Sequence, residues 1–417
     1  MADRAALSNR VRLGALLSLW LLLSGCLENQ ILNPEPYQYL TEVPVEGGET
    51  SVGMDLAIIE FDEFGSFWDR EQLEDTLELV RRRSAASERG LVVVVHTHGW
   101  QNDADMRGEG TPAQNFRDSM AEVAASFAER GAPAPDHVIG VFLGWRGATT
   151  RVPLARELTF WDRYAVAARV ASYDLRETCF RLTRETKTRL DSKVVISGHS
   201  MGGMIIAKTL GPSLSTLVLA EGDRGIPALV DLIILQNPAL DALSTYQFID
   251  FLKRSRTRVE LRRSDGSVQP AEGPVIVSIT SEADWVTSLA YPLGQIIGLA
   301  TAAFRNDHGP REPSQWHLAT RANGHVPELV SHRAWVEDDE IQLARVPGAY
   351  NDTPYWIVRV TREISADHGD VQNVRFRQLI GKVIELNQVY ETNVQTWLRA
   401  DHGELPLAVD DPTGRWF

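Results

Sequence analysis

The sequence predicts an α/β domain, a mostly parallel β-sheet flanked by helices on both faces, with an insertion before the last strand. Two observations carry this. From Met54 onward, short apolar runs alternate with amphipathic stretches, the rhythm of strands joined by crossover helices. Several runs, such as Val92 to Val95, are apolar at every position, as strands covered on both faces must be.

The elements follow in order. Asp55 to Phe61 reads as a strand, and Glu71 to Arg83 as a helix with Leu73, Leu77 and Val80 on one face. Leu91 to His96 is a buried strand, Asn115 to Glu129 a helix, and His137 to Gly144 the next strand. Trp161 to Leu190 reads as one long helix leading into a strand over 192–197. Leu229 to Leu235 and Val275 to Thr280 continue the sheet. Leu289 to Phe304, almost wholly apolar, is expected to be a core helix, with a membrane-facing lid helix as the alternative, and is too short and interrupted to span a bilayer. Residues 305–353 are polar and rich in turn residues, and long insertions of this kind tend to be functional lids. Tyr355 to Thr361 is the last strand, followed by a helix from Val374 to about Trp397.

The first 25 residues are expected to be a targeting segment rather than part of the fold. Arg4, Arg10 and Arg12 precede an apolar run, Leu13 to Leu23, that is too short to span a bilayer. The run ends at Leu23-Ser24-Gly25-Cys26, which resembles the lipobox of bacterial lipoproteins. That resemblance implies acylation of Cys26 and its use as the first residue of the mature chain. Leu27, where Asp would favour the inner membrane, points to the outer membrane facing the periplasm. An ordinary secretory signal with an incidental cysteine is the alternative. Residues 26–50 then read as the lipidated Cys and a Pro- and Glu-rich tether, and 51–417 as the folded domain. Cys179, the other cysteine, would have no disulfide partner and reads as a buried small hydrophobe. A net charge of −14 argues against nucleic acid, and against electrostatic adhesion to anionic lipid.

The chemistry concentrates at Gly198-His199-Ser200-Met201-Gly202. A β-branched strand precedes this G-x-S-x-G and a helix-compatible segment, Met204 to Leu210, follows it. In that context the motif reads as a nucleophile elbow: a turn so tight that its flanks must be glycine, lifting Ser200 clear of the sheet edge. The helix start behind it offers N–H groups to a developing oxyanion.

With these residues the chain resembles the α/β-hydrolase family. The resemblance implies a serine hydrolase acting on small-molecule or lipid esters, of the esterase or lipase-like kind. It implies the chain order nucleophile, acid, histidine, and no cofactor or metal. Ser200 fills the first position. Asp284, just past the Val275–Thr280 strand, fills the second, with Asp241 and Glu282 as alternatives. His368, in the turn between the last strand and the last helix, fills the third; His325 and His332 in the insertion are its rivals, while His308, His317 and His402 lack motif support. His98-Gly99-Trp100 resembles the lipase oxyanion segment, so the oxyanion hole would be the N–H groups of Trp100 and Met201. His96 and His98 share a strand face as zinc ligands can, but lack a third ligand pattern. Arg146 reads as a salt-bridge residue rather than a substrate clamp. A non-catalytic envelope protein that keeps the fold as a binding or scaffolding surface is the competing function.

Overall fold

The structure is a computed structural model. It describes residues 29–387, apart from 35–38, 45–50, 108, 131–134, 151–154, 190–191, 222–229, 256–259, 263–267, 271–272, 305–312 and 385. Cys26 and the expected targeting segment lie outside the described residues, as does the helix expected beyond 387.

A ten-stranded mixed sheet organises the chain. Its strands are β1 (Tyr39–Pro44), β2 (Ser51–Phe61), β3 (Leu91–Thr97), β4 (His137–Trp145), β5 (Lys193–His199), β6 (Leu232–Gln236), β9 (Ile276–Ser281), β10 (His332–Glu337), β11 (Glu340–Arg345) and β12 (Tyr355–Val360). They run in the order β1-β2-β4-β3-β5-β6-β9-β12-β10-β11. The eight strands from β2 to β10 are parallel, and only the edge strands β1 and β11 run antiparallel. A separate ribbon, β7 (Glu260–Arg262) with β8 (Val268–Pro270), stands outside this sheet.

The all-apolar strands do face two ways. Val93 and Val95 of β3, Ile139 and Val141 of β4, and Ile233 and Leu235 of β6 enter one core. Their alternate neighbours Val92, Val138 and Phe142 enter a second core, and Leu232 and Ile234 a third, on the opposite face. Burying each such side chain contributes roughly 1.5–3 kcal/mol, so neither face can be left to water. Helices α1 (Glu71–Ala86), α3 (Phe160–Val170), α4 (Tyr173–Thr186), α5 (Met201–Glu221) and α6 (Ala242–Arg254) give buried residues to the first face. Helix α2 (Pro112–Arg130) and a helix over 374–384 cover the other.

Four elements differ from the sequence reading. The long helix after β4 is two: it breaks between Val170 and Tyr173, where the Ser172 hydroxyl donates to Gly65 O at 2.6 Å and Asp174 accepts the Phe67 N–H. Part of the expected tether is built into the sheet, because β1 pairs with β2 along its length. Its Pro44 is tolerated since an edge strand needs hydrogen bonds on one side only. Part of the expected lid is also sheet. β10 and β11 form a hairpin whose two-residue turn, Asp338-Asp339, has φ of 51° and 64°, the geometry that suits strand twist. The apolar stretch after Asp284 forms a single π turn, Val286–Ala290, and helix α7 (Tyr291–Gly298). It buries Tyr291 but leaves Leu289, Leu293 and Ile296 exposed, so it is not a core helix.

Candidate active site

Ser200 stands between the last residue of β5 and the first of α5, with φ of +56°. That left-handed backbone costs a non-glycine residue roughly 1–2 kcal/mol. It is held there by its own main chain: the N–H donates to Gln236 O at 2.9 Å, and the C=O accepts from Ala239 N at 3.0 Å. The flanking glycines are required by close approach. A Cβ on Gly198 would fall 2.5 Å from Gly202 O, and one on Gly202 only 2.3 Å from Thr97 O.

Three side chains from three loops meet in one hydrogen-bonded line. His368, in the turn after β12, has Nε2 2.8 Å from Ser200 Oγ and Nδ1 2.9 Å from Asp284 Oδ2. Asp284 follows β9 and is fully buried. Its Oδ1 accepts the N–H groups of Val286 and Thr287, both at 3.0 Å, so the same carboxylate caps the following helical turn. The Thr287 hydroxyl donates to Oδ2. Burial pushes the Asp284 pKa up, but the hydrogen bond and charge of His368 and the bonds from Thr287 outweigh it and leave the group below the usual carboxylate range.

Other side chains hold this line in place, and of these the sequence reading did not single out Asn237 and Thr287. The His368 carbonyl accepts from His199 Nε2 and from Asn237 Nδ2, each at 2.9 Å. Asn237 is fully buried with φ of +42°, a conformation asparagine tolerates better than most residues. Its Oδ1 accepts the Ser281 N–H at 2.9 Å, tying β6, β9 and the His368 turn together. The signal was Gln236-Asn237-Pro238 after an apolar strand, a turn pattern whose side-chain bonding the sequence does not disclose. Because the Thr287 hydrogen goes to Asp284, its oxygen accepts from His325 Nε2–H at 2.8 Å. Burial lowers the His325 pKa to about 4, which keeps that ring neutral.

The rivals lie elsewhere. Asp241 caps α6 through Ser244 N at 2.7 Å, and Glu282 is exposed. His332 sits on β10, bonded to Ser331 and stacked on Trp356 at 3.9 Å. Arg146 pairs with Glu63 at 2.9 Å, and the buried Arg163 shares the same carboxylate.

The loop after β3 rests on Ser200. A Cβ on Gly99 would fall 2.7 Å from the Ser200 Cβ. His98, stacked between Phe142 and Trp145, bonds Gly99 O through Nδ1 at 2.9 Å and accepts Trp145 N–H through Nε2 at 3.2 Å, which orients the loop. The next residue, Trp100, is anchored by its indole N–H on Thr159 Oγ1 at 3.1 Å. Met201 opens α5, so its N–H is one of the four that a helix leaves without an intrahelical acceptor. His96 turns to Ser197 Oγ at 2.8 Å, and among the described residues no group of three or more His, Cys, Asp or Glu could hold a metal ion. Cys179 is buried, and burial raises its pKa to about 12.

No protein-family model matches the chain, and no curated protein matches it. Among solved structures it is similar to TT1662 from Thermus thermophilus, at 14% identity and a TM-score of 0.26 over 75% of this chain and 90% of that one. It is also similar to phospholipase PlaB from Legionella pneumophila, solved with thio-NAD, at 11% identity and a TM-score of 0.27 over 76% of this chain and 66% of that one. Likeness at this level assigns neither a family nor an activity.

Proposed function

We propose that this chain is a serine hydrolase of the α/β-hydrolase fold that cleaves carboxylic esters and is held at a membrane by a lipid on Cys26. The observation that carries the reading is the line Ser200 Oγ–His368–Asp284, with links of 2.8 and 2.9 Å. A serine hydroxyl is a weak nucleophile, and an adjacent imidazole oriented by a carboxylate is what activates it.

In this mechanism His368 Nε2 takes the Ser200 proton as Oγ attacks the ester carbonyl. Asp284 fixes the Nδ1–H tautomer and stabilises the imidazolium. The N–H groups of Trp100 and Met201 hold the oxyanion, each donor typically worth ~3 kcal/mol of barrier. The acyl–oxygen bond breaks, His368 returns the proton to the leaving alkoxide, and the acyl group stays on Ser200. Water, deprotonated by His368, then releases the acid. Side chains and backbone supply every step, and no cofactor is called for.

A fluorophosphonate probe tests the reading directly. Labelling at Ser200, lost in Ser200→Ala, is expected; an inert Ser200 would leave the fold as a binding scaffold. For the anchor, Cys26→Ser should shift the protein out of the detergent phase on phase separation. Unchanged partitioning would remove the lipoprotein assignment, and with it the expected outer-membrane, periplasm-facing location.

A further inference from the structure

We propose that the protein docks the edge of its sheet that carries Ser200 onto a phospholipid bilayer through Trp285, Leu289, Leu293 and Ile296, and that its substrates are the ester lipids of that bilayer. The proposal rests on the lipid-anchored esterase reading above and names its substrate class.

The first observation is a surface. Trp285, Leu289, Leu293 and Ile296 are 60%, 61%, 58% and 42% exposed. They follow one another at helical spacing along the π turn and α7, directly after Asp284. From Trp285 to Phe304 the chain carries no Asp, Glu, Lys, Arg or His, in a protein where 24% of residues are charged. A contiguous apolar surface of this kind marks an interaction site rather than an ordinary solvated face. The face continues towards the loop after β3. Trp161 lies over Gly294, where a Cβ would fall 1.4 Å from its indole, and stacks edge-on with Phe160 at 4.9 Å; Phe160 meets Trp100 at 5.1 Å. An indole that is half exposed beside apolar side chains suits the boundary between headgroups and acyl chains.

The second observation says what covers it. The segment after Cys26 is clasped to the same edge of the sheet. Glu60, one residue from the end of β2, accepts the N–H of Leu32 at 3.0 Å and that of Asn33 at 2.7 Å. Asn33 Nδ2 also donates to Ala104 O, in the loop after β3, at 2.9 Å, and Gln72 Nε2 donates to Asn33 O at 2.9 Å. Asn33 is the seventh residue after Cys26. Even fully extended, that length of chain reaches at most about 25 Å. The eleven residues of β2 alone span roughly 35 Å. The link to the lipid is thus shorter than the sheet is tall, and the opposite edge cannot be turned to the membrane while the clasp holds. The occupant of the apolar surface is therefore the bilayer that takes the acyl chains.

The test uses the mature protein reconstituted into vesicles of phosphatidylethanolamine and phosphatidylglycerol with brominated acyl chains. Trp285 emission, isolated by difference against Trp285→Phe, should be quenched. The double variant Leu289→Glu, Leu293→Glu should lose that quenching. It should also lower the ratio of vesicle-lipid turnover to soluble-ester turnover at least ten-fold. Ile296→Glu repeats the measurement should the double variant fail to fold by circular dichroism. Unquenched Trp285, an unchanged ratio, or a dimer of the wild type that the double variant converts to monomer would each overturn the proposal. Quenching also reads out in Ser200→Ala, where there is no turnover. Quenching without any ester turnover in the wild type would therefore count against the hydrolase reading and for docking. Soluble-ester turnover without quenching would do the reverse.

Discussion

Asn237 holds the main-chain oxygen of His368 at 2.9 Å through its Nδ2, while its own Oδ1 takes the Ser281 N–H at the same distance. One buried amide thus fixes the turn that bears the imidazole against the strand that leads to Asp284. Asn237→Asp keeps an acceptor for Ser281 and replaces the donor facing His368. Its kcat on a soluble ester should fall about 10- to 100-fold, the usual consequence of misplacing a reacting group by an ångström, with KM near wild type. Equal kcat in the two proteins would show that the imidazole is placed without Asn237.

Ser200 combines a left-handed φ with a buried hydroxyl within hydrogen-bonding distance of His368. Ser200→Ala and Ser200→Gly should both abolish turnover. They should differ in stability: glycine relieves the left-handed strain, so its unfolding free energy should exceed that of the alanine variant by about 1 kcal/mol. Urea midpoints at matched m-values check this. An alanine variant as stable as glycine would mean that the elbow is unstrained.

The frame of the sheet was legible because strands such as Val92–Val95 are β-branched and apolar at every position and alternate with amphipathic helices, as strands covered on both faces do. Laid on that frame, the resemblance to the α/β-hydrolase family implied the places of Ser200, Asp284 and His368, after the strands β5, β9 and β12. The hairpin 332–345 was not legible as sheet, since at an edge only alternate residues are buried, and Arg333 and the turn Asp338-Asp339 read as loop. β1 was hidden for the same reason, by Pro44 and Glu42 on a strand with one partner. Asn237 and Thr287 escaped notice, and His325 was weighed only as a rival base, because their work is hydrogen bonding between segments far apart in sequence. The stretch after Asp284 was misread because apolar composition alone cannot say whether a face meets a core or an exterior partner.

The buried histidines make the fold sensitive to acid. Burial lowers the pKa of His325 from 6.5 to about 4, and that of His332 likewise to about 4. The unfolded chain takes up a proton on each below about pH 6.5, whereas the folded protein does not until about pH 4. Stability is therefore complete above the unfolded pKa and is lost as pH falls through this window, by up to about 1.4 kcal/mol per pH unit for each ring. His325→Gln keeps an N–H for Thr287 without the titration. Between pH 7 and pH 5 it should lose up to about 2 kcal/mol less unfolding free energy than wild type. Identical pH slopes would mean that His325 titrates alike in both states.

The base is the assignment on which the mechanism turns, and three histidines competed for it. His368 reaches Ser200 and Asp284 together, His325 reaches Asp284 only through Thr287, and His332 bonds Ser331 and stacks on Trp356. Members of a triad act as a unit, so their losses do not add. His368→Ala should lose as much kcat as Ser200→Ala, and the double variant should be no worse than either. His332→Ala should act quite differently from a lid residue, because β10 is part of the sheet. It removes a buried ring from a strand pair, so it should lower the melting temperature while leaving kcat and KM near wild type. If His332→Ala abolished turnover and His368→Ala were mild, the hydrogen-bonded line through Ser200 would not be the reacting one.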